Sequence, residues 1–520
     1  MEDLIYEELS PEQTEFLHKV LDKSLSFFDY TDKSTFNYAE NFKIISKLKE
    51  CENTIPINND SQFFDFLRFF LNYSVPQCKK GYLAFPDCGN SVSSIAAEII
   101  KSCTNQNMVA SERSAPVATL MEIQLIQWLR RLLGYSFKKI DDLKGLCDVG
   151  ALCMPGGTLS NYCAVLTALR IKYPAVLQEG IGCLKKKPIV FTAKEISHYS
   201  IENALEQLGL GSHCIAWVDV NTDYQTDIFS LEEKIKTLPD DCEPFMIIGF
   251  AGNSKTSSID DLYNMSVLAE KYNLWFHVDA SHGGSLLFSK NQKDRLIGIE
   301  NAHSVTMDPH KGLFVSYASS YVFFKDSTIL ETYCKDKTQF YDVNCLNLGK
   351  ISPFLCSRGF DSLKLWLMIS RTGKERIGNL IDLRASSVET LKHKIEKKIP
   401  KLILLNSNYI YRLAYVYLPE ESHPKNQDYI NWFNKKISTL LYHRGNIIVD
   451  SFTLKDIGNK VSLGCDKIYT VIGICIGHTE IHEERIISEL NECINIIKKE
   501  TMPKNVVHTT YDSPADWTCY

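Results

Sequence analysis

From about residue 114 the chain alternates helical stretches with short runs of consecutive apolar residues. The runs are PIVFTA (188–193), CIAWVDV (214–220), FMIIGFAG (245–252), LWFHVDA (274–280), HSVTMD (303–308) and SYVFFK (320–325). A strand that is apolar on both faces needs cover on both. Separated by helical segments such as SIDDLYNMSVLAEKY, these runs predict a mostly parallel sheet between layers of helix. The first 80 residues read differently. Ser10-Pro11-Glu12-Gln13 has the order of a capping box with proline at the first helical position, which predicts a helix start. Further on, SQFFDFLRFFLNY spreads aromatic residues over a broad helical face, which needs a partner surface in the chain or in a second subunit. Two long helical stretches, FDSLKLWLMISRTG and NLIDLRASSVETLKHKIEKK, precede a fresh set of shorter elements that runs to about residue 500. The last twenty residues have no period and read as a tail. The expected organisation is a helical segment over 1–80, a large α/β domain over 81–385, a small C-terminal α/β domain over 386–500 and a tail over 501–520.

A chain of 520 residues exceeds what one core organises, in keeping with that division. Its 44% hydrophobic and 23% charged residues are those of an ordinary globular protein, and a formal charge of -6 argues against nucleic acid as main partner. The N-terminus lacks the order of a signal peptide, and no run is long enough to span a membrane. The seventeen cysteines are scattered without a CxxC pair, which argues for a reduced, cytoplasmic protein.

The residues able to do chemistry collect where strands end, the edge at which such sheets bind ligands. Lys311, in TMDPHKGLFVSYASS, follows HSVTMD among apolar residues, where desolvation lowers a lysine pKa toward that of an imine-forming amine. Asp279 ends LWFHVDA and would need a cation there, such as a protonated pyridine nitrogen. Gly156, Gly157, Thr158 and Ser160 open a helix in MPGGTLSNYCAVLTALR, suited to an anion though matching neither GxxxxGK nor GxGxxG. His198 follows PIVFTA, where an imidazole can stack on a flat ring or move a proton. Singly, each has a plain alternative: a snorkelling lysine, a helix-capping aspartate, a structural glycine turn, a helix-start histidine. Together they make the inventory of a pyridoxal phosphate site.

LWFHVDASHGG, SVTMDPHKGL, GGTLSN, ISHYSI, SAPVATLMEIQLIQWLRRLLGY and SRGFDSLKLWLMI resemble the motifs of the group II pyridoxal phosphate-dependent amino-acid decarboxylases, which act on glutamate, cysteine sulfinate or aromatic amino acids. The resemblance runs from about Gly81 to Gly373 and more weakly to about residue 500. It implies a fold-type I, aspartate aminotransferase-like large domain, pyridoxal 5'-phosphate as cofactor, and a homodimer with active sites at the interface and N-terminal helices wrapped around the twin. It implies Lys311 as the Schiff-base lysine, Asp279 on the pyridine nitrogen, His198 stacked on the ring and the amides of Gly157, Thr158 and Leu159 on the phosphate. Ser254 and Asp308 match positions near the cofactor, and His310 a position that orients the imine. DKTQFYDVNCLN resembles the mobile loop whose tyrosine, here Tyr341, protonates the quinonoid carbon after carbon dioxide leaves. Family members that form aldehydes replace that tyrosine or the stacking histidine, so retention of both favours plain decarboxylation.

Substrate choice stays open. The acid-binding branch carries a late-strand arginine where YTVIGICIGHTEI has Gly473, which leaves either another cation, with Arg113 and Arg358 as candidates, or a non-acidic substrate. Ala84 and Phe85, in GYLAFPDCGN, are expected near the pocket and would suit an apolar or aromatic side chain. Two weaker alternatives are a non-catalytic relative that binds the cofactor or a partner, and metal hydrolysis through His478 and His482, although HExxH is absent and no metal is expected.

Overall fold

In the computed structural model the described residues are 8–29, 41–52, 60–86, 91–419, 426–464 and 467–500. The tail over 501–520 lies outside them. The strands are β1 (Tyr82–Leu83), β2 (Ala151–Met154), β3 (Lys187–Ala193), β4 (Ile215–Val218), β5 (Cys242–Phe250), β6 (Trp275–Asp279), β7 (Ser304–Met307), β8 (Ser320–Phe324), β9 (Leu402–Leu404), β10 (Arg412–Tyr417), β11 (Ile448–Lys455) and β12 (Ile468–Cys475).

The six apolar runs form β3 to β8 of one seven-stranded sheet, ordered β2-β8-β7-β6-β5-β3-β4. The neighbours from β4 to β7 pair in parallel, and β8 pairs antiparallel with both β7 and β2. Two reversals restore the direction, so β2 points the same way as β7 and its carboxyl end opens on the same edge. Strands β5 to β8 are buried almost throughout, as expected between helical layers. The helix Gly157–Lys172, buried at Ser160, Ala164, Val165 and Ala168 among others, crosses one face.

A second sheet, ordered β1-β11-β12-β10-β9, is antiparallel except where β1 joins β11. It draws Tyr82–Leu83 out of the expected large domain into the C-terminal layer. The boundary expected at 385/386 falls inside the helix Lys374–Lys398, which packs on both the 283–288 turn and the second sheet. A continuous helix thus spans the expected boundary.

The capping box forms: Gln13 N donates to Ser10 Oγ at 3.2 Å and Ser10 N to Gln13 Oε1 at 2.9 Å. Phe16 meets Phe63 and Phe64 at 5.2 and 5.7 Å, so the helices Pro11–Leu25 and Asp60–Tyr73 touch each other, yet neither buries a residue. Leu17, Leu21, Phe66 and Phe70 are exposed.

Candidate active site

The carboxyl ends of β2, β3, β5, β6 and β7 surround one cavity of about 260 Å³, lined by Gly157, Thr158, His198, Ser254, Asp279 and Lys311 among others. Lys311 leaves β7 through a single helical turn, Pro309–Gly312, its amide donating to the Asp308 carbonyl at 2.9 Å. The turn brings Nζ within 3.0 Å of Asp308 Oδ2, with the lysine side chain 16% exposed and the aspartate 1%. Asp308 Oδ1 has no hydrogen-bond partner among the described residues.

Asp279 ends β6 with its carboxylate held by Asn161 Nδ2 at 2.8 Å and by the Ser281 amide at 3.0 Å. Burial raises its pKa, but His198, Lys311 and Ser281 outweigh burial and the net displacement is downward, so an anion faces the cavity. His198 caps the helix Tyr199–Gln207 and binds Ser200 Oγ through Nδ1 at 2.7 Å. Burial, then the Lys311 charge, lowers its pKa to about 4, so the ring is neutral at pH 7.

Gly157 and Thr158 supply the first amides of their helix, which have no carbonyl one turn back to bond. A Cβ on Gly157 would lie 2.5 Å from Asp308 Oδ2, whereas Gly156 faces open space. Leu159 departs from expectation: its amide donates to the Gly156 carbonyl at 3.1 Å, and the residue is not among those lining the cavity. Ser254 lines the cavity on a loop tied by Asn253 Oδ1, which accepts from the amides of Lys255 and Thr256 at 3.0 and 2.8 Å. His310 also lines it, Nδ1 donating to the Ser319 carbonyl at 2.5 Å and Nε2 3.8 Å from Asp308 Oδ2.

Several expected residues lie elsewhere. Tyr341 is 52% exposed, packs on Phe340 and points its hydroxyl at Glu331, 3.5 Å away, so a single chain does not bring it to Lys311. Ala84 packs with Tyr82 and Ile448, and Phe85 against them; neither lines the cavity, although the Ala84 carbonyl accepts from Arg412 Nη2 at 2.7 Å. Arg358 is committed to the buried Glu122, Nη1 to Oε2 at 3.0 Å, and Arg113 is exposed on the short helix Ser111–Ser114. Gly473 sits between Ala414 and Asp450 in the second sheet, where a Cβ would come 2.6 Å from Phe452 Cε1, so a side chain there would have to displace that ring. His478 Nε2 donates to the Gln77 carbonyl at 3.1 Å, and His482 precedes the helix Glu483–Ile497.

Three contributors escaped the sequence reading. Asn161, inside GGTLSN, joins Asp279 to Ser200 at 2.9 Å and His277 at 3.2 Å. His282, inside LWFHVDASHGG, lines the cavity and takes the Tyr411 hydroxyl on Nδ1 at 2.5 Å. Arg412 reaches from β10 to the Ser254 carbonyl and to Asp450 Oδ2, 2.6 Å away. Asn161 and His282 had a signal in the quoted motifs; Arg412 had none.

A model of the pyridoxal-dependent decarboxylase conserved domain matches residues 46–411. The chain belongs to this family. It is 28% identical over 424 residues to the L-2,4-diaminobutyrate decarboxylase of Acinetobacter baumannii, covering 78% of this chain and 80% of that protein. It is 30% identical over 347 residues to the human cysteine sulfinic acid decarboxylase, covering 62% and 64%. Mouse CSAD in its apo form superposes with a TM-score of 0.81 over 93% of this chain and 98% of that one, at 23% identity. Pyridoxal 5'-phosphate is the cofactor of the family, and the fold is fold-type I. The cavity fits it. A glycine-lined helix start suits an anion, a buried carboxylate suits a pyridinium, and a lysine beside a carboxylate with a spare oxygen suits an aldehyde carrier. The chain is therefore a pyridoxal phosphate-dependent amino-acid decarboxylase.

Proposed function

We propose that Lys311 is the amine that carries the cofactor and that the substrate's α-amine displaces. The single observation that supports this is its place on the cavity wall, 3.0 Å from a buried carboxylate that also faces Gly157. Pyridoxal phosphate, when bound, supplies an aldehyde for condensation with amines and a ring that accepts the electrons of the breaking bond to the carboxylate. The protein residues do the rest. Gly157 and Thr158 hold the phosphate with backbone amides; Asp279 pairs with the ring nitrogen and keeps it protonated, itself held by Asn161 and Ser281. Neutral His198 covers the ring face. Asp308 would take the Lys311 ammonium proton when the lysine joins the cofactor aldehyde and return it when the substrate amine releases the lysine. His310, fixed on the Ser319 carbonyl, orients the neighbouring lysine. Ser254 borders the ring, its loop anchored by Arg412.

The working unit in this reading is a homodimer. The exposed apolar faces of the two N-terminal helices support it, since each needs a covering surface. Tyr341 then protonates the substrate carbon in the twin's cavity, which favours amine over aldehyde as product. Among the described residues no helix is long and apolar enough to cross a membrane, and the described cysteines are free thiols; a cytoplasmic setting agrees with both.

The test is product analysis with purified protein, pyridoxal phosphate and a panel of L-amino acids that includes cysteine sulfinate and 2,4-diaminobutyrate. Equal amounts of carbon dioxide and amine are expected from one substrate class. In Lys311→Ala both should vanish, together with the visible absorbance of the lysine-bound cofactor, while the dimer persists. Undiminished turnover in that variant would end the assignment.

A further inference from the structure

Among the described arginines withdrawn from solvent, one has no hydrogen-bond partner on either Nη. Arg130 donates to the carbonyls of Ser136, Gly150 and Phe324, Arg358 is paired with Glu122, and Arg412 with Asp450. Arg384, on the helix Lys374–Lys398, is 1% exposed, and neither Nη has a hydrogen-bond partner among the described residues. Its guanidinium lies between two rings, 4.5 Å from the centre of Tyr411 and 5.7 Å from that of Phe314. Neither ring lines the cavity itself, but each is one step from a residue that does. Phe314 is three residues beyond Lys311, and the Tyr411 hydroxyl bonds His282, which lines the cavity.

Cation–π contacts recover only part of what a buried guanidinium loses on leaving water, and a planar fork with both ends free matches the two oxygens of an acid group. Gly473 stands where the resemblance places the acid-binding arginine, and any side chain there would have to displace Phe452, whose Cε1 is 2.6 Å from a Cβ at that position. We propose that Arg384 binds the side-chain acid group of the substrate, a carboxylate or sulfinate, and so makes this chain a decarboxylase of acidic amino acids. The assignment rests on the decarboxylase reading above and deepens it. The acid group enters at the His282–Tyr411 hydrogen bond, where it gains the Tyr411 hydroxyl and the two Nη groups behind it. Arg384 is then a specificity determinant that does not take part in breaking the α-carbon bond.

Thermal melting of the full-length protein, with and without pyridoxal phosphate, tests this with glutarate as a diacid probe and butyrate as the monoacid control. Glutarate should raise the melting temperature of the wild type and butyrate should not. Arg384→Met should lose the glutarate response while melting, without ligand, no lower than wild type, because an uncompensated buried charge has gone. Arg384→Lys should keep part of the response. With the best acidic substrate, KM should rise roughly tenfold or more in Arg384→Met, the scale of losing a charge-assisted pair, with a smaller change in kcat. A glutarate response that is equal in wild type and Arg384→Met overturns the inference, as does a wild type that ignores glutarate. If carbon dioxide is released only from basic or aromatic amino acids and glutarate is inert, the inference fails while the decarboxylase stands. If no amino acid is decarboxylated but the glutarate response depends on Arg384, the acid site stands and the decarboxylase reading fails.

Discussion

His277 is buried and His198 half-buried at the cavity wall, both as neutral rings, and desolvation lowers each to a pKa of about 4. In the unfolded chain an imidazole titrates near 6.5. Between those values the unfolded chain binds protons that the folded one refuses, so acid favours unfolding. The stability these rings contribute is fully present above about pH 6.5 and is lost as pH falls toward 4, on the order of 3 kcal/mol for each ring at the lower end. His277 is the cleaner probe because it lies outside the cavity lining, bound to Ser304 Oγ at 2.8 Å and to Asn161 Oδ1 at 3.2 Å. Urea midpoints measured from pH 7 to pH 4 should fall steadily, and the fall should be shallower in His277→Gln, although His282, His303 and His478 also have lowered values and keep part of it; an identical slope in the two proteins would show that His277 already titrates normally. The same physics separates legible from illegible residues. Lys311, Asp279 and His198 stood out because each lies at a strand end, and the cavity brings the three together; Ser254, which also lines it, was marked only by the family resemblance. Leu159 and Arg358 could not be judged, because whether an amide or a guanidinium is free depends on Gly156 and Glu122, partners that only the folded backbone brings up.

Helices and strands follow the same division. The runs that became β3 to β8 were readable because burial on both faces forbids polar interruptions, whereas Tyr82–Leu83 carries too few residues to show a period and is a strand only because β11 pairs with it. The junction between the two sheets was equally hidden, since the helix Lys374–Lys398 runs through it without a break. What fixes that junction is a small set of side chains. Ser257, in a left-handed conformation at φ +48°, takes the amides of Ile410 and Arg412 on its hydroxyl at 3.1 Å each, with that of Tyr411 at 3.4 Å. These are the residues leading into β10, from which Arg412 reaches back to the Ser254 loop. Ser257→Ala leaves the buried amides without an acceptor and should lower stability by about 2 kcal/mol, the cost of unsatisfied buried donors. Because the Ser254 loop loses its footing, cofactor affinity should fall as well. Urea denaturation and a cofactor titration check both effects; a variant as stable as wild type would mean that water replaces the hydroxyl.

At the scale of the whole molecule, the question Tyr341 raises is whether it acts in its own chain's cavity or, as proposed above, in a twin's. Its ring sits on Phe340, its carbonyl carbon lies 2.8 Å from where a Cβ on Gly145 would be, and its hydroxyl faces Glu331 rather than the cavity. The backbone of residues 340–342 is therefore packed against Gly145 and cannot swing as a unit toward Lys311 without breaking that contact. If Tyr341 protonates the substrate carbon, the cavity it serves belongs to the other subunit. Hybrid dimers decide this. A Lys311→Ala chain paired with a Tyr341→Phe chain contains one cavity with its lysine intact, and across the interface that cavity meets the wild-type Tyr341 of its twin. Action across the interface predicts that the mixed dimer makes amine from that one cavity, at up to half the wild-type rate, although neither parent homodimer does. Action within one chain predicts none, because the only cavity with a lysine also carries phenylalanine at 341. In air the Tyr341→Phe homodimer should still release carbon dioxide, with aldehyde, ammonia and hydrogen peroxide in place of amine as dioxygen, the two-electron oxidant, replaces the phenol's proton. If that variant keeps making amine at the wild-type rate, the proton comes from a group already in the cavity, and His282, held by the Tyr411 hydroxyl, is the residue to change next.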